Sequence, residues 1–204
     1  MADTDRHFTQ DQIDLLYKLV LRLDRAGMII PYIHAANSLG LADYKTKVLN
    51  LVRPGLMIYG LYPGEHSRKQ IDLKPALSVH SKVIFLKNVS KGRSLSYGRT
   101  FIAPKDMQVA TIPIGYNDGY SIALSSKSFV IIGNKRCPVV GRVTMDQILV
   151  DISEVSKPKL GMSVTVLGVQ AGQSVSADEL ALIANTINYE IICSLGNRLP
   201  RVHK

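Results

Sequence analysis

Three short stretches hold the side chains best suited to act on something outside the chain. Residues 96–100 read Ser-Tyr-Gly-Arg-Thr, residues 115–120 read Gly-Tyr-Asn-Asp-Gly-Tyr, and residues 141–147 read Gly-Arg-Val-Thr-Met-Asp-Gln. Tyr97 precedes a glycine and Tyr116 follows one. A tyrosine beside glycine at a strand end has a phenol that backbone crowding leaves uncovered, so it can reach a neighbouring surface. A free phenol ionises near pH ~10, so a tyrosine base at neutral pH needs positive charge close by. A different chemistry is available earlier in the chain, in His34-Ala-Ala-Asn37-Ser38 and Arg53-Pro-Gly55-Leu56. Ser38 offers a hydroxyl, and Gly55 and Leu56 offer backbone N–H groups at a helix start, where the helix dipole favours an anion. Taken alone, the first of these is an ordinary turn and the second an ordinary loop.

The elements that must position these residues fall into two grammars. Thr9-x-x-Gln12 has a capping-box pattern, and Ile13, Leu16, Tyr17, Val20 and Leu23 follow at helical spacing. Gly27 is placed to stop that helix. Residues 28–33 read as a short buried strand ending at His34, 43–46 as a helical turn, and 48–52 as a second buried strand. Residues 56–61 read as the first turns of a helix with Pro54 near its start. Helix, strand, turn, strand, helix is the rhythm of a βα barrel or another parallel sheet. Residues 64–72 are polar and read as a linker. Beyond it, alternation over 77–85 and strand-like runs at 107–114, 129–132, 137–140, 147–152 and 163–167 predict a mostly-β domain. One closing helix is expected over 178–192, capped by Ser176 with Glu179 three residues on.

Composition narrows the function classes. A chain of 204 residues has room for one large or two small domains. It has no apolar run of membrane-spanning length and no charged-then-apolar leader. Cys137 and Cys193 are the only cysteines. They have no metal-ligand spacing and are expected to be reduced, in a cytoplasmic protein without bound metal. The net charge of +9 is spread without a basic run or interleaved aromatics, so a nucleic-acid surface is not expected. A basic surface of this kind favours small anionic molecules.

The separate stretches gain meaning as a series. His-Ala-Ala-Asn-Ser comes first, then Val-Arg-Pro-Gly-Leu-Met-Ile-Tyr-Gly-Leu-Tyr-Pro and Ser-Tyr-Gly-Arg-Thr. Pro-Ile-Gly-Tyr-Asn-Asp-Gly-Tyr and Gly-Arg-Val-Thr-Met-Asp-Gln complete it. Their order and separations strongly resemble the alanine racemases, from Met1 to the Leu-Pro-Arg-Val end. The resemblance implies a fold-type III pyridoxal phosphate enzyme. Residues 1–63 would be the last two strands of an α/β barrel with the helix before them. Residues 64–73 would be a linker, and 74–204 the C-terminal β domain. The implied activity is interconversion of L- and D-alanine, which supplies D-alanine for peptidoglycan. The family works as a head-to-tail homodimer in which each site takes a tyrosine from the partner's β domain.

Residue by residue, the resemblance makes Tyr97 the tyrosine that removes the α-proton of L-alanine on one face of the cofactor-bound substrate. A lysine serves the other face, and two opposed bases are what racemisation needs. Asn37 and Ser38 match the loop after the seventh barrel strand, Ser38 as a phosphate ligand. Gly55 and Leu56 match backbone donors to the same phosphate. Arg53 matches the arginine that hydrogen-bonds the pyridine nitrogen. A permanently charged guanidinium does not give up a proton, so it leaves that nitrogen unprotonated. His34 resembles the histidine that orients Arg53; the alternative, a satisfied strand-end histidine, stays open. Tyr116 resembles the entrance tyrosine that restricts the pocket to a small side chain. Met145 resembles the residue whose backbone N–H meets the substrate carboxylate, and Asp146 lies in the approach corridor. Without the family, Tyr116 and Met145 read as ordinary core or surface residues.

Several family features have no counterpart here. The Schiff-base lysine and the arginine that contacts the cofactor's phenolic oxygen lie further upstream in the family, and no lysine here sits in a matching context. Met1-Ala2-Asp3 resembles the stretch just after the histidine that stacks on the cofactor ring. His7 is not that histidine, being too close to Asn37. Asn197 stands where some members have a phosphate-binding tyrosine. The expectation is a C-terminal portion of an alanine racemase that is inactive alone. Other readings are a non-catalytic basic β module that binds nucleic acid or protein, a broader racemase, or a decarboxylase of basic amino acids. The decarboxylases' cysteine motif is not found, and a broader racemase needs a wider entrance than Tyr116 implies.

Overall fold

The computed structural model describes residues 5–44, 48–64 and 71–203. The chain divides into two compact units, Met1–Ala76 and Leu77–Lys204.

The first unit opens with α1 (Arg6–Arg25). Its cap is Asp5, whose carboxylate accepts from Phe8 N at 2.9 Å, rather than the expected Thr9. A carboxylate satisfies a free N–H and also meets the positive helix end, so it outcompetes a hydroxyl four residues on. Thr9 is instead buried inside the helix, its Oγ1 donating back to Asp5 O at 3.1 Å. The helix stops where expected. Gly27 has φ +75, and Gly27 N and Met28 N donate to Asp24 O and Leu23 O, both at 2.9 Å. That is the reciprocal pattern of a Schellman stop.

The two runs expected to be buried strands do not form a ladder. Residues 28–33 and 48–52 are joined by Asn50 N and Leu51 N donating to Ile33 O, and by Arg53 N donating to Ala36 O at 2.9 Å. One parallel bridge, Asn37 to Arg53, completes the pairing. The side-chain amide of Asn50 takes over a missing rung, accepting from Ile33 N and donating to Pro31 O. A buried parallel strand needs partners on both edges and cover on both faces. Ile29 is 88% exposed and Tyr32 71% exposed, so the apolar character of these runs is unspent. Two short helices follow the runs, α2 (Ser38–Asp43) and α3 (Gly55–Ile58). Of the turn expected at 43–46, Asp43 ends α2 and Tyr44 is its C-cap; 45–47 lie outside the described residues. Pro54 takes the cap position of α3. The chain leaves α3 at Gly60, φ +73, where a Cβ would sit 1.9 Å from Lys74 O. Of the expected linker, 65–70 lie outside the described residues.

The second unit is built from antiparallel strands. In chain order they are β1 (Val79–Lys82), β2 (Phe85–Val89), β3 (Ser94–Leu95), β4 (Phe101–Ile102) and β5 (Met107–Ile112). Then come β6 (Phe129–Ile132), β7 (Lys135–Pro138), β8 (Ile148–Asp151), β9 (Ser163–Gln170) and β10 (Gln173–Val175). One sheet has the order β1-β9-β6-β7 with β10 added on β9, and another the order β2-β5-β8. The run expected as one strand over 77–85 is split between the sheets. Val83 N donates to Met162 O beside β9, and Ile84 N to Thr111 O on β5. The closing helix also divides, into α4 (Ala177–Ala184) and α5 (Asn188–Cys193). Asn185 between them adopts φ +57, a left-handed conformation asparagine tolerates and helices do not continue through. Ser176 caps α4 as expected, accepting from Glu179 N at 3.0 Å.

Val130, Ile131, Ile132, Ile112, Ile148, Val150 and Val164 are almost completely buried. Branched side chains pack well on a pleated surface, and each full burial contributes about 1.5–3 kcal/mol. This core is the rigid base from which the tyrosine turns project.

Candidate active site

The residues singled out from the sequence fall into two groups, one in each unit. In the first unit, Asn37 Oδ1 accepts from Gly40 N at 3.0 Å and caps α2. Ser38, buried, accepts through Oγ from Met57 N at 3.3 Å, which ties the start of α2 to α3. Gly55 N donates to Arg53 O at 3.0 Å, and Leu56 N lies in the first turn of α3, where helical bonding offers it no acceptor. Nothing lies within 4 Å of where a Cβ on Gly55 would sit. Arg53 Nη1 is 2.5 Å from His34 Nδ1, and Nη2 donates to Ala35 O at 3.2 Å. A guanidinium only donates, so His34 Nδ1 accepts and its ring proton is on Nε2. Arg53 is thus held on two sides. A hydroxyl, the first-turn N–H of Leu56 and a fixed guanidinium, with open space at Gly55, fit a phosphorylated heteroaromatic whose ring nitrogen accepts.

The second group is tied together by residues 141–147, to which both tyrosine turns are hydrogen-bonded. Tyr97 heads a tight turn between β3 and β4, with Ser96 at φ +64, Gly98 at +70 and Arg99 at +52. Three left-handed residues in four force the chain outward, and Tyr97 is 70% exposed. The turn is not loose. Ser96 Oγ donates to Arg142 O at 2.6 Å, and Gly141, φ +77, passes so close that a Cβ would lie 2.6 Å from Ser96 Cβ. Gly141 N in turn donates to Ser126 Oγ at 2.9 Å.

Residues 141–147 also carry the second tyrosine. Tyr116 N donates to Thr144 O and Asn117 N to Met145 O, both at 3.0 Å. The approach is possible because residue 115 is glycine: a Cβ there would be 2.3 Å from both Thr144 O and Met145 O. Met145 is half-exposed beside Tyr116, which is 42% exposed. Thr144 pins its own loop, its Oγ1 donating to Gln147 O at 2.8 Å. The run 141–147 therefore sets the positions of Tyr97, Tyr116, Met145 and Asp146 together.

Three residues that support these turns were not singled out from the sequence. Asp118, buried, accepts from Gly115 N through Oδ2 at 2.9 Å and closes the Tyr116 turn. Its place three residues after a glycine was the available signal. Arg198 Nη1 donates to Asp146 Oδ1 at 2.6 Å, and its Nε is 3.4 Å from Asp118 Oδ1. Asp146, hydrogen-bonded to it, holds the Arg198 guanidinium still more firmly in its charged form. Nothing in Asn-Arg-Leu-Pro announces that partner. Tyr120 is buried, its hydroxyl 2.6 Å from Ser128 Oγ. Burial pushes its phenol up to about 12, against a smaller opposing effect of Ser128. It anchors the turn and is no proton carrier at neutral pH.

Among the described residues no group of His, Cys, Asp and Glu could hold a metal ion, and no helix is long and apolar enough to cross a membrane. Cys137 is buried, and burial raises its thiol to about 11. Cys193 is exposed.

Comparison with known proteins gives concordant results over both units. The family model described as alanine racemase, C-terminal domain, matches residues 76–203, and that described as alanine racemase, N-terminal domain, matches 1–63. The alanine racemase of Halothermothrix orenii is 38% identical over 202 residues, covering 99% of this chain and 53% of that protein. That of Clostridium perfringens is 40% identical over 203 residues, covering 99% and 53%. The crystal structure of the Bacillus anthracis alanine racemase with bound L-Ala-P superposes with a TM-score of 0.90 at 35% identity, over 98% of this chain and 52% of that one. The Bartonella henselae alanine racemase, with covalently bound pyridoxal phosphate, gives 0.80 at 30% identity, over 97% and 52%. The chain spans about half the length of the curated relatives it matches.

Proposed function

The chain belongs to the alanine racemase family, and from that premise we propose that it is the part of a racemase that completes a pyridoxal phosphate site and lends a tyrosine base to a second subunit. The observation that carries this reading is the Tyr97 turn, whose phenol stands 70% exposed on a backbone fixed to Arg142 O. A side chain held this way is arranged to meet a partner rather than to fill a core. The proposed substrate is alanine and the proposed assembly a head-to-tail homodimer.

Bound pyridoxal phosphate supplies the electron sink that makes the α-proton of an amino acid labile. The chain's own residues divide the remaining work. Ser38 Oγ and the Leu56 N–H hold the phosphate, the Gly55 N–H joins them by turning from Arg53 O to the bound group, and Asn37 fixes the helix turn that presents Ser38. Arg53, oriented by His34 and Ala35 O, donates to the ring nitrogen and keeps it unprotonated. Tyr97 takes or returns the proton at the α-carbon on one face. The Met145 N–H meets the substrate carboxylate, Tyr116 narrows the way in, and Asp146 lines the approach. The base for the other face and the cofactor's attachment lysine come from the barrel portion that full-length relatives carry and this chain does not span.

Two measurements test this. The purified chain with pyridoxal phosphate and L-alanine is expected to form no D-alanine; turnover by the chain alone overturns the division of labour. Co-produced with the barrel portion of a full-length relative, it is expected to racemise alanine, and Tyr97→Phe is expected to lower kcat by about 100-fold or more. Undiminished activity of that variant removes Tyr97 as the base.

A further inference from the structure

Arg198 has no part in the chemistry above, yet it touches both turns that border the proposed substrate path. Its Nη1 reaches Asp146 Oδ1 at 2.6 Å and its Nε lies 3.4 Å from Asp118 Oδ1. Asp118 closes the Tyr116 turn through Gly115 N, and Asp146 directly follows Met145. The segment that bears Arg198 is itself strapped to the same turn. Gly196 N donates to Asp118 O at 3.2 Å and Ser194 Oγ to Gly119 O at 3.0 Å. Gly119, φ +98, runs so close that a Cβ would be 2.2 Å from Ser194 O. The arginine therefore has a fixed base and two carboxylate partners, one on each of two turns that are themselves joined backbone to backbone. The backbone bonds from Tyr116 N and Asn117 N join the two turns directly; Arg198 adds a side-chain tie between the same two turns.

We infer that Arg198 is a positioning residue: by bridging Asp118 and Asp146 it locks the Tyr116 turn onto the Met145 turn, and so sets where the Tyr116 phenol stands against a substrate side chain. This rests on the reading that Tyr116 and Met145 border the substrate. A guanidinium can address two carboxylates from two nitrogens at once, which a single ammonium does poorly. The role is one of geometry rather than charge alone.

Amide hydrogen exchange on the purified chain tests the tie directly. Arg198→Ala and, as a variant that changes only a half-exposed surface carboxylate, Asp146→Asn are each expected to speed exchange at Tyr116 and Asn117 by about 5-fold. Amides of β5 and β8 are expected to stay as they are; a uniform rise through the unit would mark a merely structural residue and overturn the inference. The chain paired with a relative's barrel portion gives the second readout. There Arg198→Ala is expected to lower the ratio of kcat/KM for alanine over 2-aminobutyrate by about 5-fold, within the range one methylene commands. Unchanged exchange at the two turns, or an unchanged ratio in an active pair, overturns it. A wild-type pair that racemises nothing counts against the proposed function instead, and the exchange result then decides alone whether Arg198 ties the turns.

Discussion

In Leu77–Lys204 strand after strand buries its branched apolar side chains almost completely, while in Met1–Ala76 only Ala36 and Leu56 are found among the buried apolar residues that are described. The difference is not one of composition. Residues 28–33 are as apolar as Phe129–Ile132, yet Ile29 is 88% exposed and Ile131 not at all. What differs is the number of partners. Phe129–Ile132 has a strand on each side, whereas 28–33 meets 48–52 through a few bonds to Ile33 O and the Asn50 side chain. The same hydrophobic run is a core in one place and an unpaired surface in the other, and large exposed apolar surface marks a face that something covers. Under the proposed function that cover is the rest of the barrel.

The comparison breaks most visibly under truncation of matched side chains. Ile131→Ala is expected to cost about 4 kcal/mol, as a fully buried isoleucine that leaves a cavity. Ile29→Ala is expected to change stability by less than about 0.5 kcal/mol. Urea denaturation of the two variants measures both. Equal costs would mean that 28–33 is packed in solution and that the contrast between the units is false.

A smaller effect sharpens the same contrast through pH. Tyr120 is buried in the second unit with its phenol raised to about 12 from the usual value near 10. The neutral form is the one the fold holds, so its contribution is complete below pH ~10 and is lost as pH rises toward ~12, amounting to about 3 kcal/mol. Denaturation midpoints measured from pH 9 to 12 are expected to fall for the wild-type chain and to fall less for Tyr120→Phe. An identical decline would show that other groups govern alkaline unfolding.

How much of this was legible in the sequence follows from what kind of information each feature needs. Gly27 stops α1 because the stop is made by residues within one turn of it, and Ser176 caps α4 for the same reason. Asp5 was missed because Thr9-x-x-Gln12 matches a capping box, while the advantage of a carboxylate at a helix start is electrostatic and leaves no spacing pattern. The break at Asn185 was hidden because asparagine also sits inside apolar helical runs, and only its left-handed conformation shows the stop. The corner between β1 and β2 could not be read, since alternation continues through Val83 and Ile84 while the hydrogen-bond partners change. In the site, the Tyr97 and Tyr116 turns were visible as tyrosine–glycine pairs. Arg198 was not, because its two carboxylates, Asp118 and Asp146, are distant in the chain and nothing local to it encodes them.

The smallest expected change in stability separates two uses of glycine. Gly115 is a glycine for packing: a Cβ there would strike Thr144 O and Met145 O. Gly55 has no such neighbour, with nothing within 4 Å of its missing Cβ, and its φ is not left-handed, so neither crowding nor backbone strain explains it. Under the proposed function its use is the approach of a phosphate to the start of α3, where a methyl group would stand in the way. Gly55→Ala is therefore expected to shift the stability of the chain by less than about 0.5 kcal/mol. In the pair reconstituted with a barrel portion it is expected to weaken retention of pyridoxal phosphate, read from the cofactor's absorbance after dialysis. If the variant keeps its cofactor as the wild type does, the open space at Gly55 is only surface. The first unit would then contribute its arginine and serine to the site but not its backbone.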